Sequence, residues 1–148
     1  MNLSPKYDED SYSWFFHTAQ LLREKRMNEI DIDHLIEEME DMGNSLQNAL
    51  ESDLATLIQH LLKWQFQPSY RVWDISGKSW TASIKESRRR VTRRLQKSPG
   101  LKGKLAETFE DAYAKGRYNA YLETFIEELP LENPYTFEQI MNNDFYPE

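Results

Sequence analysis

Residues 31–67 read DIDHLIEEMEDMGNSLQNALESDLATLIQHLLKWQFQ. Apolar residues fall at Leu35, Met39, Met42, Leu46, Leu50, Leu54, Leu57, Leu61 and Trp64. Eight steps cover 29 residues, about 3.6 per step, which is the α-helical period and not the alternation of a strand. Asp31 or Asp33 suits the N-cap. Pro68 stops the helix. Gly43 costs about 1 kcal/mol relative to Ala and, with Asn44, marks where so long a helix would break.

Outward from this segment the chain keeps reading as helix. Upstream, Asp8 to Glu24 predicts a first helix, with Asp8, Glu9 and Asp10 at the positive end of its dipole. Tyr12, Trp14, Phe15, Phe16, Leu21 and Leu22 predict burial on more than one side. Downstream, Gln67 to Lys78 reads as a loop that packs down through Tyr70, Val72, Trp73 and Ile75. A third helix starts near Ser79 on the apolar line Trp80, Ile84, Val91 and Leu95. Ser98-Pro99 has the form of an N-cap and a first-turn proline, predicting a fourth helix from Pro99 to Glu128. In it Ala112, Gly116 and Ala120 form a small-residue row that lets another helix approach. Thr136 to Gln139 has the capping-box form T-x-x-Q and predicts a short last helix, with Phe145 and Tyr146 pinning the tail. No segment shows sustained β alternation. The expected fold is all-α: residues 1–148 as a single-domain helical bundle of about four main helices plus a short C-terminal helix.

The composition bounds the chemistry. The 148 residues include 13% aromatics, enough for a real core, and carry a formal charge of −7. That sign disfavours non-specific binding of the whole chain to nucleic acid or a membrane surface. There is no cysteine, which excludes disulfides, thiol catalysis and cysteine-held metal. Met1 to Asp10 has no apolar core of a secretory signal, and no run is long enough to span a bilayer. The expectation is a cytoplasmic protein with no membrane partner.

Several motifs, in order, carry a resemblance: Tyr7-Asp8-Glu9-Asp10, Trp14, the acidic stretch from Asp33 to Gly43, His60-Leu61-Leu62-Lys63-Trp64-Gln65, Gln67-Pro68, Arg71, Trp80, Ser98-Pro99 and Pro134-Tyr135-Thr136. Together they resemble the bacterial family catalogued as domain of unknown function 29, over nearly the whole chain. Gly100 departs from the second serine usual in that pattern, which touches a helix start and no chemistry. The resemblance implies an all-helical fold and brings no activity, cofactor or partner with it.

Four features are candidates for function. Seven acids lie between Glu29 and Asp41 without an intervening Lys or Arg, and His34, Glu37, Glu38 and Asp41 share one helix face. By ligand type they are a candidate divalent-metal set; the alternative is a solvated acidic face. Seven bases lie between Lys85 and Lys97 against one acid, Glu86. Of these, Arg88, Arg89, Arg90, Arg93 and Arg94 suit a phosphate, an RNA or an acidic protein. The alternative is that they face the acidic segment, within the chain or across a dimer. His60 falls on the apolar side of its helix with Asp53, and Arg88 lies near the apolar line of the next. The three are candidates for a general-base constellation, or for a satisfied core histidine and a packed arginine. Trp64, Trp73 and Trp80 bracket the expected loop, as a ligand pocket or partner hot spot or as plain anchors.

No nucleophile beside a base and no glycine-rich phosphate loop is evident, and no cofactor is expected. The leading expectation is therefore a non-enzymatic helical interaction module with segregated acidic and basic faces, binding a protein partner or a second copy. Nucleic-acid or phosphate binding through residues 85–97 stands second. A small enzyme or metal site around His60, or around His34, Glu37, Glu38 and Asp41, stands third.

Overall fold

The computed structural model describes residues 4–71 and 74–148, with the side chains of residues 74–77 outside the description. The expectations placed on Val72, Trp73 and the side chain of Ile75 lie outside the described residues. The fold is all-α. Helix α1 spans Ser11–Arg23, α2 Ile32–Phe66, α3 Pro68–Arg71, α4 Asp74–Lys97, α5 Leu105–Thr124 and α6 Phe137–Met141, with 3-10 turns at Met27–Glu29 and Pro99–Lys104. By its contacts the chain divides into two compact units, Met1–Ser45 and Leu46–Glu148.

The local signals act as their chemistry requires. Asp10 caps α1 by accepting from the Ser13 amide. Asp31 accepts from the His34 amide at 3.3 Å at the start of α2. Thr136 and Gln139 complete the reciprocal capping box of α6 at 3.1 and 2.9 Å. Helix α2 runs unbroken through Gly43-Asn44, because a single glycine costs a helix less than its many other good formers supply.

Three boundaries differ from the sequence reading. Residues 68–71 and 74–78 are helical where a loop was expected: the proline that ends α2 opens α3, and α4 begins at Asp74 with Gly77 inside it. The segment after Ser98 starts as a 3-10 turn, since Pro99, Gly100 and Gly103 are poor α-formers, and α5 proper begins only at Leu105. Helix α5 ends at Thr124 and not Glu128, because Phe125 takes a left-handed conformation with φ 56°.

The unit Leu46–Glu148 holds the main core. Leu50, Leu54, Leu57, Ile58, Leu61 and Leu62 of α2 are fully buried, with Ile84 and Val91 of α4, Ala112 and Ala120 of α5, and Ile140 of α6. The small-residue row of α5 seats it on α2. A Cβ built at Gly116 would lie 2.6 Å from the Ala55 carbonyl oxygen and 3.1 Å from Ile58 Cβ and Cγ2. The tail folds back through rings: Tyr146 packs on Trp64 with centroids 5.0 Å apart, and Phe145 lies 5.9 Å from Tyr135.

In the unit Met1–Ser45, α1 was expected to be buried on more than one side. Only one face is covered: Trp14, Thr18 and Leu21 are buried, whereas Tyr12, Phe15, Phe16 and Leu22 are exposed. The first half of the α2 apolar line differs in the same way. Met39, Met42 and Leu46 are exposed. Periodicity marks a face as apolar and does not supply a second element to cover it.

The two glycines of these helices give opposite expectations. Gly116→Ala places a methyl against helix backbone and should destabilise the protein by about 1–3 kcal/mol. At Gly43 a Cβ meets nothing within 4 Å, so Gly43→Ala should stabilise by up to about 1 kcal/mol. Urea unfolding of both variants checks the pair; equal effects would contradict the packing described.

Candidate functional site

The acidic segment is built around one histidine. Asp31 precedes the first turn of α2, so His34 three residues on returns over it, with Nδ1 2.5 Å from Asp31 Oδ2. Tyr7 stacks on the His34 ring at 4.1 Å, and Trp14 meets Tyr7 edge-on at 5.1 Å. The Tyr7 hydroxyl donates to Glu38. Tyr7, Trp14, Asp31 and His34, together with Lys6, Asp8 and His17, line an open cleft within the N-terminal unit. The Asp31 carboxylate, and behind it Asp8 and Glu37, hold the His34 imidazolium above its usual range, and the same pair holds Asp31 low. The hydrogen bond to Glu38 pushes the Tyr7 hydroxyl up to about 12.

His34, Glu37, Glu38 and Asp41 are therefore not gathered as ligands. His34 serves Asp31 and Glu38 serves Tyr7. No group of three or more His, Asp or Glu side chains among the described residues converges as a metal site. Glu37, Glu40 and Asp41 are exposed and have no hydrogen-bond or ion-pair partner among the described residues. Arg26 is committed to Glu24 and Glu29.

The basic helix α4 is differently employed. Arg88 is buried at 2% exposure. It donates from Nε to the Ile140 carbonyl at 2.7 Å, from Nη1 to Asn143 at 3.4 Å and from Nη2 to Phe145 at 2.6 Å. Burial pulls its pKa down, but a guanidinium stays charged. It ties the C-terminal segment to α4. Arg94 pairs with Asp53, and Arg90 approaches Asp53 at 3.9 Å and Glu86 at 3.1 Å. Arg89 holds Glu86 through two nitrogens at 2.9 and 2.7 Å, which with Arg90 lowers the Glu86 carboxyl to about 2. Lys85, Arg89 and Arg93 remain on an open groove with Thr92, Gln96 and Asn143.

The expected Asp53, His60 and Arg88 constellation is not assembled. Asp53 faces α4, Arg88 faces the C-terminal segment, and His60 Nδ1 lies 2.8 Å from the Thr56 carbonyl of its own helix. Burial, helped by Lys63, lowers the His60 pKa, against the Thr56 carbonyl and Glu123. Trp80 is buried under Lys63, 5.2 Å from its ring, and half-buried Trp64 carries Arg71 at 5.3 Å on one side and Tyr146 on the other. Each of these two indoles has its own cover.

Counted by unit, the charges separate. Residues 1–45 hold eleven acids and four bases, a net −7; residues 46–148 hold fourteen of each and are neutral. The sequence reading found both clusters but missed this division, and it missed the pairing of Tyr7 with Glu38. Only the i, i+3 spacing of Asp31 and His34 was a local signal for the histidine pair.

The class defined here is an all-helical protein whose net charge resides in its N-terminal unit. The chain belongs to the family described as Domain of unknown function DUF29, whose model matches residues 6–146. No curated protein and no solved structure matches it.

Two measurements check the site. Arg88→Met leaves the buried Ile140 carbonyl and the partly exposed Asn143 and Phe145 carbonyls without their donor and should cost about 3 kcal/mol, with amide exchange accelerated first in residues 137–146. In an NMR titration His34 should titrate above about 6.5 and His60 below it, with Asp31→Asn returning His34 toward the ordinary value. The His34–Asp31 contribution to stability is complete below the unfolded imidazole pKa and is lost as pH rises through the folded one; Asp31 sets the acid limb, lost as pH falls through its own.

Proposed function

We propose that this protein is a non-enzymatic helical interaction module, and that its acidic N-terminal unit engages a protein partner by charge complementarity. One observation carries the reading: the whole net charge of −7 lies in residues 1–45, where Glu37, Glu40 and Asp41 form no ion pair with a Lys or Arg among the described residues. The C-terminal unit supports it from the other side, since Asp53 and Glu86 take up Arg89, Arg90 and Arg94. The groups expected to tune His60 as a general base are engaged elsewhere, Asp53 with Arg94 and Arg88 with backbone carbonyls, while His60 Nδ1 faces the Thr56 carbonyl. No helix among the described residues is long and apolar enough to cross a membrane. The same reading puts the protein in the bacterial cytoplasm, where a chain without cysteine loses nothing to reducing conditions.

A second reading, phosphate or nucleic-acid binding on α4, has in its favour the groove of Lys85, Arg89 and Arg93.

One experiment separates them. Tagged protein is used for capture from lysate and for RNA binding at rising salt. Its companions are a triple variant, Glu37→Lys with Glu40→Lys and Asp41→Lys, and a double variant, Arg89→Glu with Arg93→Glu. The leading reading expects captured proteins to fall at least tenfold with the triple variant and to persist with the double one. Capture no greater than that of the tag alone, or unchanged by the triple variant, sinks it. RNA binding that weakens steeply with salt and vanishes in the double variant would favour α4 instead.

A further inference from the structure

The N-terminal unit displays more apolar surface than it uses. Along α2, Ile32, Ile36, Met39 and Met42 follow one another at steps of four, three and three, and they are 49%, 50%, 60% and 57% exposed. That spacing is one stripe along a helix. A stripe of four large aliphatic side chains in water is a standing free-energy cost, which a covering helix would remove. Methionine makes half of it, and its unbranched thioether adapts to whatever packs against it.

The borders of the stripe are acidic. At 100° per residue Asp33 and Glu40 fall along one side of it. No Lys or Arg occurs from Asn28 to Leu62. Whatever lies on this stripe meets carboxylates that form no ion pair among the described residues.

We infer that this face of α2 is a docking site for a basic amphipathic helix of a partner protein. Its apolar residues would lie on Ile32, Ile36, Met39 and Met42, and its Lys or Arg side chains would reach Asp33 and Glu40. The mode is helix against helix, with anchors at i, i+3, i+4 and i+7. The inference rests on the interaction-module reading and specifies its partner.

Charge selects this occupant over the others. A second copy of the unit would bring another −7 against −7. An anionic membrane or a nucleic acid repels the stripe's borders in the same way. The chain's own basic helix does not fit either, because the apolar residues of α4, Ile84 and Val91, are fully buried in the core of its own unit.

The test uses the full chain and a fluorescent, synthetic 18-residue helix of leucine and lysine with its leucines on one face. Two control peptides accompany it: the same composition scrambled so that no leucine face forms, and a leucine/glutamate helix. Fluorescence anisotropy should show binding of the leucine/lysine helix that weakens with salt, at least tenfold weaker binding of the scrambled peptide, and none of the acidic one. The variant Ile36→Gln with Met39→Gln and Met42→Gln keeps every charge and changes only exposed positions. It should keep the circular dichroism and melting temperature of the parent and bind the helix at least tenfold more weakly. Hydrogen exchange on the unaltered protein should show new protection across residues 32–42 when the peptide is added, so the result does not hang on the variant folding. Equal binding of the scrambled peptide, or no loss in the glutamine variant, reduces the interaction to ion pairing and overturns the proposal. A dimer by light scattering that the glutamine substitutions dissolve means a second copy covers the stripe, and overturns it too. Charge-dependent capture that survives either of these failures leaves the interaction-module reading in place.

Discussion

Where α5 crosses α2, the Ala55 carbonyl oxygen occupies the space a side chain at position 116 would fill. The C-terminal unit depends on that absence. Glycine there lets the two helix backbones come close at Ala55 and Ile58, and Ala112 and Ala120 on the same face of α5 are fully buried. Interiors are packed as densely as organic crystals, so a displacement of a few tenths of an ångström at this crossing would be felt along both helices. The tail is secured separately. Arg88 crosses from α4 to three carbonyls in and just after α6, an arrangement that a lysine, with one nitrogen, cannot reproduce.

The ionic arrangement follows from the same packing. Asp53 lies on the α2 face that α4 covers, so its carboxylate had to be paired, and Arg94 and Arg90 pair it. Nothing comparable constrains Glu37, Glu40 and Asp41. They stand in water, where an unpaired carboxylate costs little, and they are retained alongside an uncovered apolar stripe. The interaction reading proposed above rests on that juxtaposition of exposed acids with exposed isoleucine and methionine.

The aromatic residues illustrate how context divides similar side chains. Trp14 is buried with Tyr7 and His34 beside it, while Phe15, its chain neighbour, is exposed. Tyr7 shows a second division: its ring is fixed by stacking, and its hydroxyl engages a carboxylate that periodicity alone had assigned to a common face with His34 and Asp41.

Local physics settled most of the long helices from sequence alone, though not the helical turn after Pro68 or the ends of α5. The 3.6-residue recurrence from Leu35 to Trp64, the acceptor side chains of Asp10, Asp31 and Thr136, and the proline at 68 each act within a turn or two of chain, so they could be read without a structure. The small-residue row of α5 was legible for the same reason. What tertiary structure decided was coverage and partnership. Whether Met39 is buried like Leu57, whether Arg88 meets phosphate or a carbonyl, and whether Asp53 faces His60 or Arg94 all turn on segments tens of residues away. Hydrophobic burial is non-directional and charge pairing is short-ranged, so sequence marks a side chain as able to do either. Only the packed chain determines which one it does.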